Sequence, residues 1–335
     1  MERSHDLVRI EPQTPLERVE DWAALSSGDR KRRAAEALRD DDIEALEGLL
    51  EAYLRLHSRR GLRVSEHTLR SYRRGLRSLA EFARRSGLKL HEFTHEDALR
   101  FARHQEDTGV AAGTVNVRLA AARAVCRAIQ WTDMMPKEQN PFAQVGVADP
   151  TPDHEKRKPY RSDEVTRLLA ACRTPRERAF VLLGADAGLR VAEVAALTWK
   201  SVDTQAGNLQ VRSGKGGKTQ TVALTPRCAA ALDALEDKHA GPVFPSTQHG
   251  SGGITARRIQ AIFARLCELA GVRRLGYHAL RHSAGTRLYE STRDLHVVAR
   301  HLRHATLDTT RVYAHLADGD YRAAVDKLAE ANGKQ

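Results

Sequence analysis

The chain has 335 residues, in which Lys and Arg (54) outnumber Asp and Glu (43) for a formal charge of +11. At roughly 100–200 residues per domain, that length predicts two domains, each large enough for its own core, and the positive balance suits a polyanionic partner better than an acidic small molecule. Cys126, Cys172, Cys228 and Cys267 form no CxxC pair, which excludes a zinc ribbon or dithiol motif. The longest apolar stretch, 179–189, is broken by Asp186 and falls short of the about 20 residues a bilayer span needs. The opening MERSHDLVRI has no apolar signal segment, so a soluble cytoplasmic protein is expected, with no membrane partner.

In chain order, residues 1–42 are highly charged, with Pro12, Pro15 and the run Asp29-Arg30-Lys31-Arg32-Arg33, and read as a flexible or loosely helical extension. Over 43–135 apolar residues recur at helical spacing, as in Leu69, Tyr72, Leu76, Leu79 and Phe82, which predicts a helical bundle. Its other faces carry Arg70, Arg73, Arg74, Arg77 and Arg118, candidates for lining a DNA duplex; a solvated helix face is the alternative for any one of them. Pro136, Pro141, Pro150, Pro152 and Pro159 then accumulate among charges, marking 136–159 as a linker.

The second domain, 160–335, opens with Ser162 as N-cap candidate ahead of Asp163 and Glu164. A buried helix at 179–187 is stopped by Gly188, and another, 191–197, starts behind Arg190. Residues 209–212 and 219–224 read as a hairpin around Ser213-Gly214-Lys215-Gly216-Gly217-Lys218. Thr225 and Thr255 cap further helices, and 278–289 and 295–303 complete a mainly α domain with a small antiparallel sheet.

Phosphodiester cleavage needs multidentate cations on the nonbridging oxygens, a nucleophile and a proton donor for the leaving oxygen. Arg190 at a helix start is a plausible clamp, although an arginine in this place, taken alone, is more often a helix cap or a salt-bridge partner of a residue such as Glu193. His278 and Arg281 share a helix face at i, i+3. The pair His278 and His282 at i, i+4 suggests a metal, but no HExxH glutamate accompanies it and no metal site is assigned. Lys215, between glycines, sits at the hairpin tip, where a plain solvated turn is the competing reading. His304 precedes Tyr313, a phenol that needs cationic neighbours and a base to act as nucleophile.

Taken together, GLRVAEVAAL (188–197), GKGGK (214–218), HALRHSAGTRL (278–288) and HLRHATLDTTRVYAH (301–315) resemble the catalytic signature of the tyrosine recombinase, or lambda-integrase, family. The resemblance implies a helical SAM-like core-binding domain joined to a catalytic domain as a C-shaped DNA clamp, with a Xer-like plan and a nucleoid-associated location. It implies phosphate-binding Arg190 and Arg281, Lys215 as general acid for the 5′-hydroxyl, and His278 helping to take the tyrosine proton. His304 would donate to a nonbridging oxygen, Tyr313 would form a 3′-phosphotyrosyl bond, and Glu193 would orient Arg190. No cofactor is expected. The implied partner is double-stranded DNA with a specific site, bound by a homo- or hetero-tetramer of protomers that are monomers in solution. These exchange strands through a Holliday junction, with C-terminal segments swapped, for which 316–331 is a candidate helix; a helix packed on its own domain is the alternative.

One departure is Leu302-Arg303-His304, where the family commonly has Leu-Gly-His. Arg303 then either adopts a positive φ with strain of about 1–3 kcal/mol, or the turn is remodelled and His304 shifts, or Arg303 adds a DNA contact. The rival functions are a single-duplex enzyme of the type IB topoisomerase or telomere resolvase kind, and a noncatalytic DNA-binding regulator.

Overall fold

A computed structural model describes residues 21–58, 61–151, 158–212, 219–235, 241–246, 252–304, 306–310, 312 and 313. The chain divides into two compact units, Met1–Pro150 and Thr151–Gln335.

In the first unit α1 (Ser27–Arg39), α2 (Ile43–His57), α3 (Glu66–Arg85), α4 (His95–Asp107) and α5 (Ala112–Trp131) surround one core. Ser26, Asp42, Ser65 and Thr94 start the first four, each side-chain oxygen accepting a first-turn N–H that would otherwise lack a partner. Leu69, Leu76, Leu79 and Phe82 bury one face of α3, with Tyr72 half-buried at its margin. Gly75 lets α3 and α5 approach closely: a Cβ there would collide with Ala121.

Two sequence expectations need correction here. The extension expected at 1–42 is packed where it is described: α1 buries Ala34, Ala37 and Leu38, and Trp22 joins the same core. The arginine run hid this face because its guanidiniums lie on aromatic rings, Arg30 4.2 Å from the Trp131 centroid and Arg33 4.6 Å from that of Trp22. Residues 1–20 lie outside the described residues. The linker expected at 136–159 also begins later. Phe142 and Val145 are buried in the first core, and Arg123 donates to their carbonyls at 2.8 Å each; prolines end a helix without ending its packing.

The second unit contains α6 (Ser162–Ala171), α7 (Pro175–Ala185), α8 (Val191–Ala195), α9 (Pro226–Asp233), α10 (Ala256–Leu269), α11 (His278–Thr292) and α12 (Leu295–Leu302). Ser162 is the first helical residue of α6 rather than its cap; the Arg161 N–H is satisfied by Glu164 at 2.8 Å. Strands β1 (Val202–Asp203), β2 (Asn208–Arg212) and β3 (Thr219–Ala223) form an antiparallel sheet in that order, so the expected hairpin gains a short third strand. Leu209 pairs with Val222, and Leu209, Val211 and Val222 face the core. Among the described residues no helix is long and apolar enough to cross a membrane.

Candidate active site

Helix α7 ends in a turn that only a glycine fits well. Gly188 has φ +61, and a Cβ on it would stand 2.5 Å from Cδ2 of Leu302. The chain then reverses into Arg190, the N-cap of α8. Its backbone N–H donates to Oε2 of Glu193 at 2.8 Å and its Nη1 to Oε1 at 2.7 Å, leaving the rest of an exposed guanidinium facing outward. Of the sequence alternatives for Arg190, the salt bridge to Glu193 is present, and it leaves part of the guanidinium exposed.

Arg281, on α11, is 1% exposed. Its guanidinium donates to the carbonyls of Gly188 and Leu302, so it ties the end of α7 to the end of α12. Burial, then the Arg190 and Arg303 guanidiniums, lower it to about 9, still protonated at neutral pH. Arg303 ends α12 with φ 57 and ψ 45, the left-handed conformation. Its side chain is 2% exposed and turns inward, donating to Oε2 of Glu193 at 2.7 Å, the His301 carbonyl at 3.1 Å and the Gly188 carbonyl at 3.3 Å. Of the three readings open for this residue, positive φ holds, and an inward ion pair replaces the DNA contact. Burial pushes the Glu193 carboxyl up, but Arg303 and the bonds from Arg190 outweigh it and hold it below its ordinary value. Two guanidiniums, Arg190 and Arg303, therefore share one carboxylate, with Arg281 linked to Arg303 through the Gly188 carbonyl, an excess of positive charge that favours an arriving anion.

On the neighbouring segment His304 bonds Thr310 Oγ1 through Nδ1 at 2.9 Å, and its ring lies 6.3 Å from that of Tyr313 at an interplanar angle of 15°. Tyr313 is 1% exposed. Its hydroxyl meets Nδ1 of His282 at 3.1 Å, and the His282 ring stands 4.7 Å from the exposed ring of His278. So the histidine touching the phenol is His282, which sequence reasoning weighed only as half of a metal pair. The signal was its place one turn before Gly285, where the ring of Tyr313 fits: a Cβ on Gly285 would be 2.6 Å from Tyr313 Cζ. Among the described residues no three His, Cys, Asp or Glu side chains gather to hold a metal.

Tyr313 packs with Ala284, Val298, Leu302 and Val312 in a small cluster separate from the main core of the unit. Lys215 lies outside the described residues, between Arg212 and Thr219, which pair across the sheet; the helix expected at 316–331 does too. Of the arginines expected to line a duplex, Arg73 is paired with buried Glu51, Arg118 bonds Gln105 and Ser78, and Arg77 bonds Glu47 at 2.6 Å. Arg70 and Arg74 are exposed, Arg70 bonding the Glu66 carbonyl at 3.4 Å.

Comparison with known proteins gives the family. Residues 159–320 match the model of the phage integrase family, and 50–132 that of the phage integrase N-terminal SAM-like domain. The chain is 30% identical over 302 residues to "Tyrosine recombinase XerC" of Pseudomonas entomophila, covering 87% of this chain and 98% of the relative. The same-named protein of Yersinia pestis is 31% identical, with 85% and 95% covered. Among solved structures, a XerH site-specific recombinase on a palindromic difH substrate aligns with a TM-score of 0.66 at 17% identity, covering 93% of this chain and 94% of that one. A lambda integrase dimer on a COC′ core site aligns at 0.60 and 19%, with 80% and 76% covered. The chain belongs to the phage integrase family, as a Xer-like tyrosine recombinase.

Proposed function

We propose that this recombinase cleaves and rejoins double-stranded DNA at a specific site through a 3′-phosphotyrosyl bond to Tyr313. The observation that carries the reading is the linkage of Arg190, Glu193, Arg281 and Arg303 beside the stacked pair His304 and Tyr313. Arg190 and Arg281 would hold the nonbridging oxygens of the scissile phosphate, where fixed cations stabilise the charge that develops in the transition state. The Tyr313 oxygen attacks phosphorus and loses its proton toward a histidine, His278 or the adjoining His282. The bond to the 5′-oxygen breaks, and Lys215 protonates that oxygen while His304 donates to the phosphate. One phosphodiester is exchanged for another, so a 5′-hydroxyl of a partner strand can reverse the step without a nucleotide energy source. Since the phenol is buried against His282, attack requires the segment around Tyr313 to swing outward, which the small separate cluster holding it makes feasible. Four protomers exchanging strands in two stages through a Holliday junction is the matching assembly.

The test is a nicked duplex carrying candidate sites, whose cut fragment diffuses away and strands the covalent complex. The expected result is an adduct mapping to Tyr313, absent from Tyr313→Phe while DNA binding persists. An adduct from the Phe protein would overturn the reading. Relaxed plasmid without recombinant junctions would assign the same chemistry to a single duplex.

A further inference from the structure

We propose that Arg303 is a positioning residue for strand cleavage, holding the Glu193 carboxylate so that Arg190 stays aimed at the phosphate; this rests on the active-site reading above. Glu193 Oε2 accepts both the Arg190 backbone N–H, at 2.8 Å, and Nη2 of Arg303, at 2.7 Å. Among the described residues, Oε1 is left as the side-chain anchor of Arg190, through Nη1 at 2.7 Å. Without Arg303, Oε2 keeps only the bond from the Arg190 backbone N–H and can accept another donor. A carboxylate oxygen that keeps one backbone bond can still accept a second arm of the Arg190 fork, in parallel with the bond to Oε1. Arg190 would then turn toward Glu193, and a full negative charge now shared by two guanidiniums would fall on it alone.

The backbone explains how residue 303 reaches this place. Its left-handed conformation ends α12 and sends the side chain back over the turn at Gly188, whose carbonyl accepts from Arg303 at 3.3 Å and also from Arg281. Three guanidiniums are thereby linked through one carboxylate and one carbonyl. An arginine in left-handed backbone is unfavourable by itself, so these contacts hold a conformation that glycine would adopt freely. Removing the side chain therefore relaxes the turn while releasing Glu193.

The experiment uses the full chain and the nicked substrate, and follows single-turnover adduct formation, DNA affinity and melting for Arg303→Gly, Arg303→Lys, Glu193→Gln and the Arg303→Gly/Glu193→Gln double variant. For Arg303→Gly the expected result is unchanged or higher Tm, unchanged affinity and adduct formation slower by roughly 10–100-fold, the scale of a misplaced reacting group. Lysine, a point cation without a fork, restores part of the rate. In the Glu193→Gln background the further loss on removing Arg303 is much smaller, because both changes act through one carboxylate. A wild-type rate in Arg303→Gly, or losses that combine in full in the double variant, would overturn the inference. Failure of the unaltered protein to form any adduct at Tyr313 would instead remove the active-site reading beneath it.

Discussion

A methyl group at position 285 would stand 2.6 Å from Cζ of Tyr313 and 2.8 Å from Cδ1 of Leu302. The phenol ring is rigid and fully buried, so it cannot give way as a flexible chain end would. Alanine gains about 1 kcal/mol of helix propensity over glycine, whereas overpacking of this kind costs about 1–3 kcal/mol. Gly285→Ala is therefore expected to lower the unfolding free energy by up to about 2 kcal/mol in urea titrations; a gain in stability would mean that Tyr313 is not docked there. The same residues show what a sequence can reveal of a site. Arg190, Arg281, His304 and Tyr313, which the sequence singles out through motifs whose order is informative, are brought near one another by the ends of α7, α11 and α12. The bond from His282 to the phenol joins α11 to the chain's later segment, and its spacing from His278 reads equally as a metal pair. The inward turn of Arg303 depends on an αL backbone next to Glu193, two facts separated by more than a hundred positions.

At the scale of elements, helices with an apolar run and a clear boundary are legible: α3 lies within the bundle that helical spacing predicts over 43–135, and α7 and α11 overlap the helices expected at 179–187 and 278–289. β1 is not, because two residues have no period, and α1 is not, because two alanines and one leucine form its buried face among arginines. Side chains that tie one element to another are equally invisible in local patterns, and Glu164 is an example. It receives the α6 cap N–H of Arg161 and two bonds of 2.8 Å from Arg273, in the segment between α10 and α11. Those bonds, Arg273 first, hold its carboxyl down at about 2 against an ordinary 4.5. A carboxyl whose folded pKa is depressed contributes stability in full above its unfolded pKa and loses it as pH falls toward the folded value. The unfolding free energy of the second unit should therefore decline between about pH 4.5 and 2. Glu164→Gln should flatten that decline and lower stability at neutral pH, as measured by urea midpoints across the range; an unchanged slope would place the acid sensitivity elsewhere.

At the scale of the whole molecule, the +11 formal charge does not translate into as many cations offered to a polyanion. Several arginines are fixed by internal partners: Arg73 by Glu51, Arg265 by Glu177, Arg227 and Arg287 by Asp186, and Arg123 by two backbone carbonyls. Asp186 shows how firmly: burial pushes its carboxyl up, yet the Arg227, Thr225 and Arg287 bonds hold it below its ordinary value. Charge counting thus overstates the DNA footprint, and salt dependence separates the two populations. Each phosphate neutralised by a side chain contributes about 0.9 to the slope of log affinity against log salt for duplex DNA. Arg74 is exposed on α3, so Arg74→Ala is expected to reduce that slope by about 0.9 in titrations on a cognate site, with little effect on folding. Arg123→Ala should leave the slope unchanged. It strands the carbonyls of Phe142 and Val145 beside the first core, at a cost of about 1–3 kcal/mol in unfolding free energy. Equal slopes for Arg74→Ala and the unaltered chain would move the footprint off this face of α3, and a reduced slope for Arg123→Ala would show that its carbonyl bonds give way when DNA arrives.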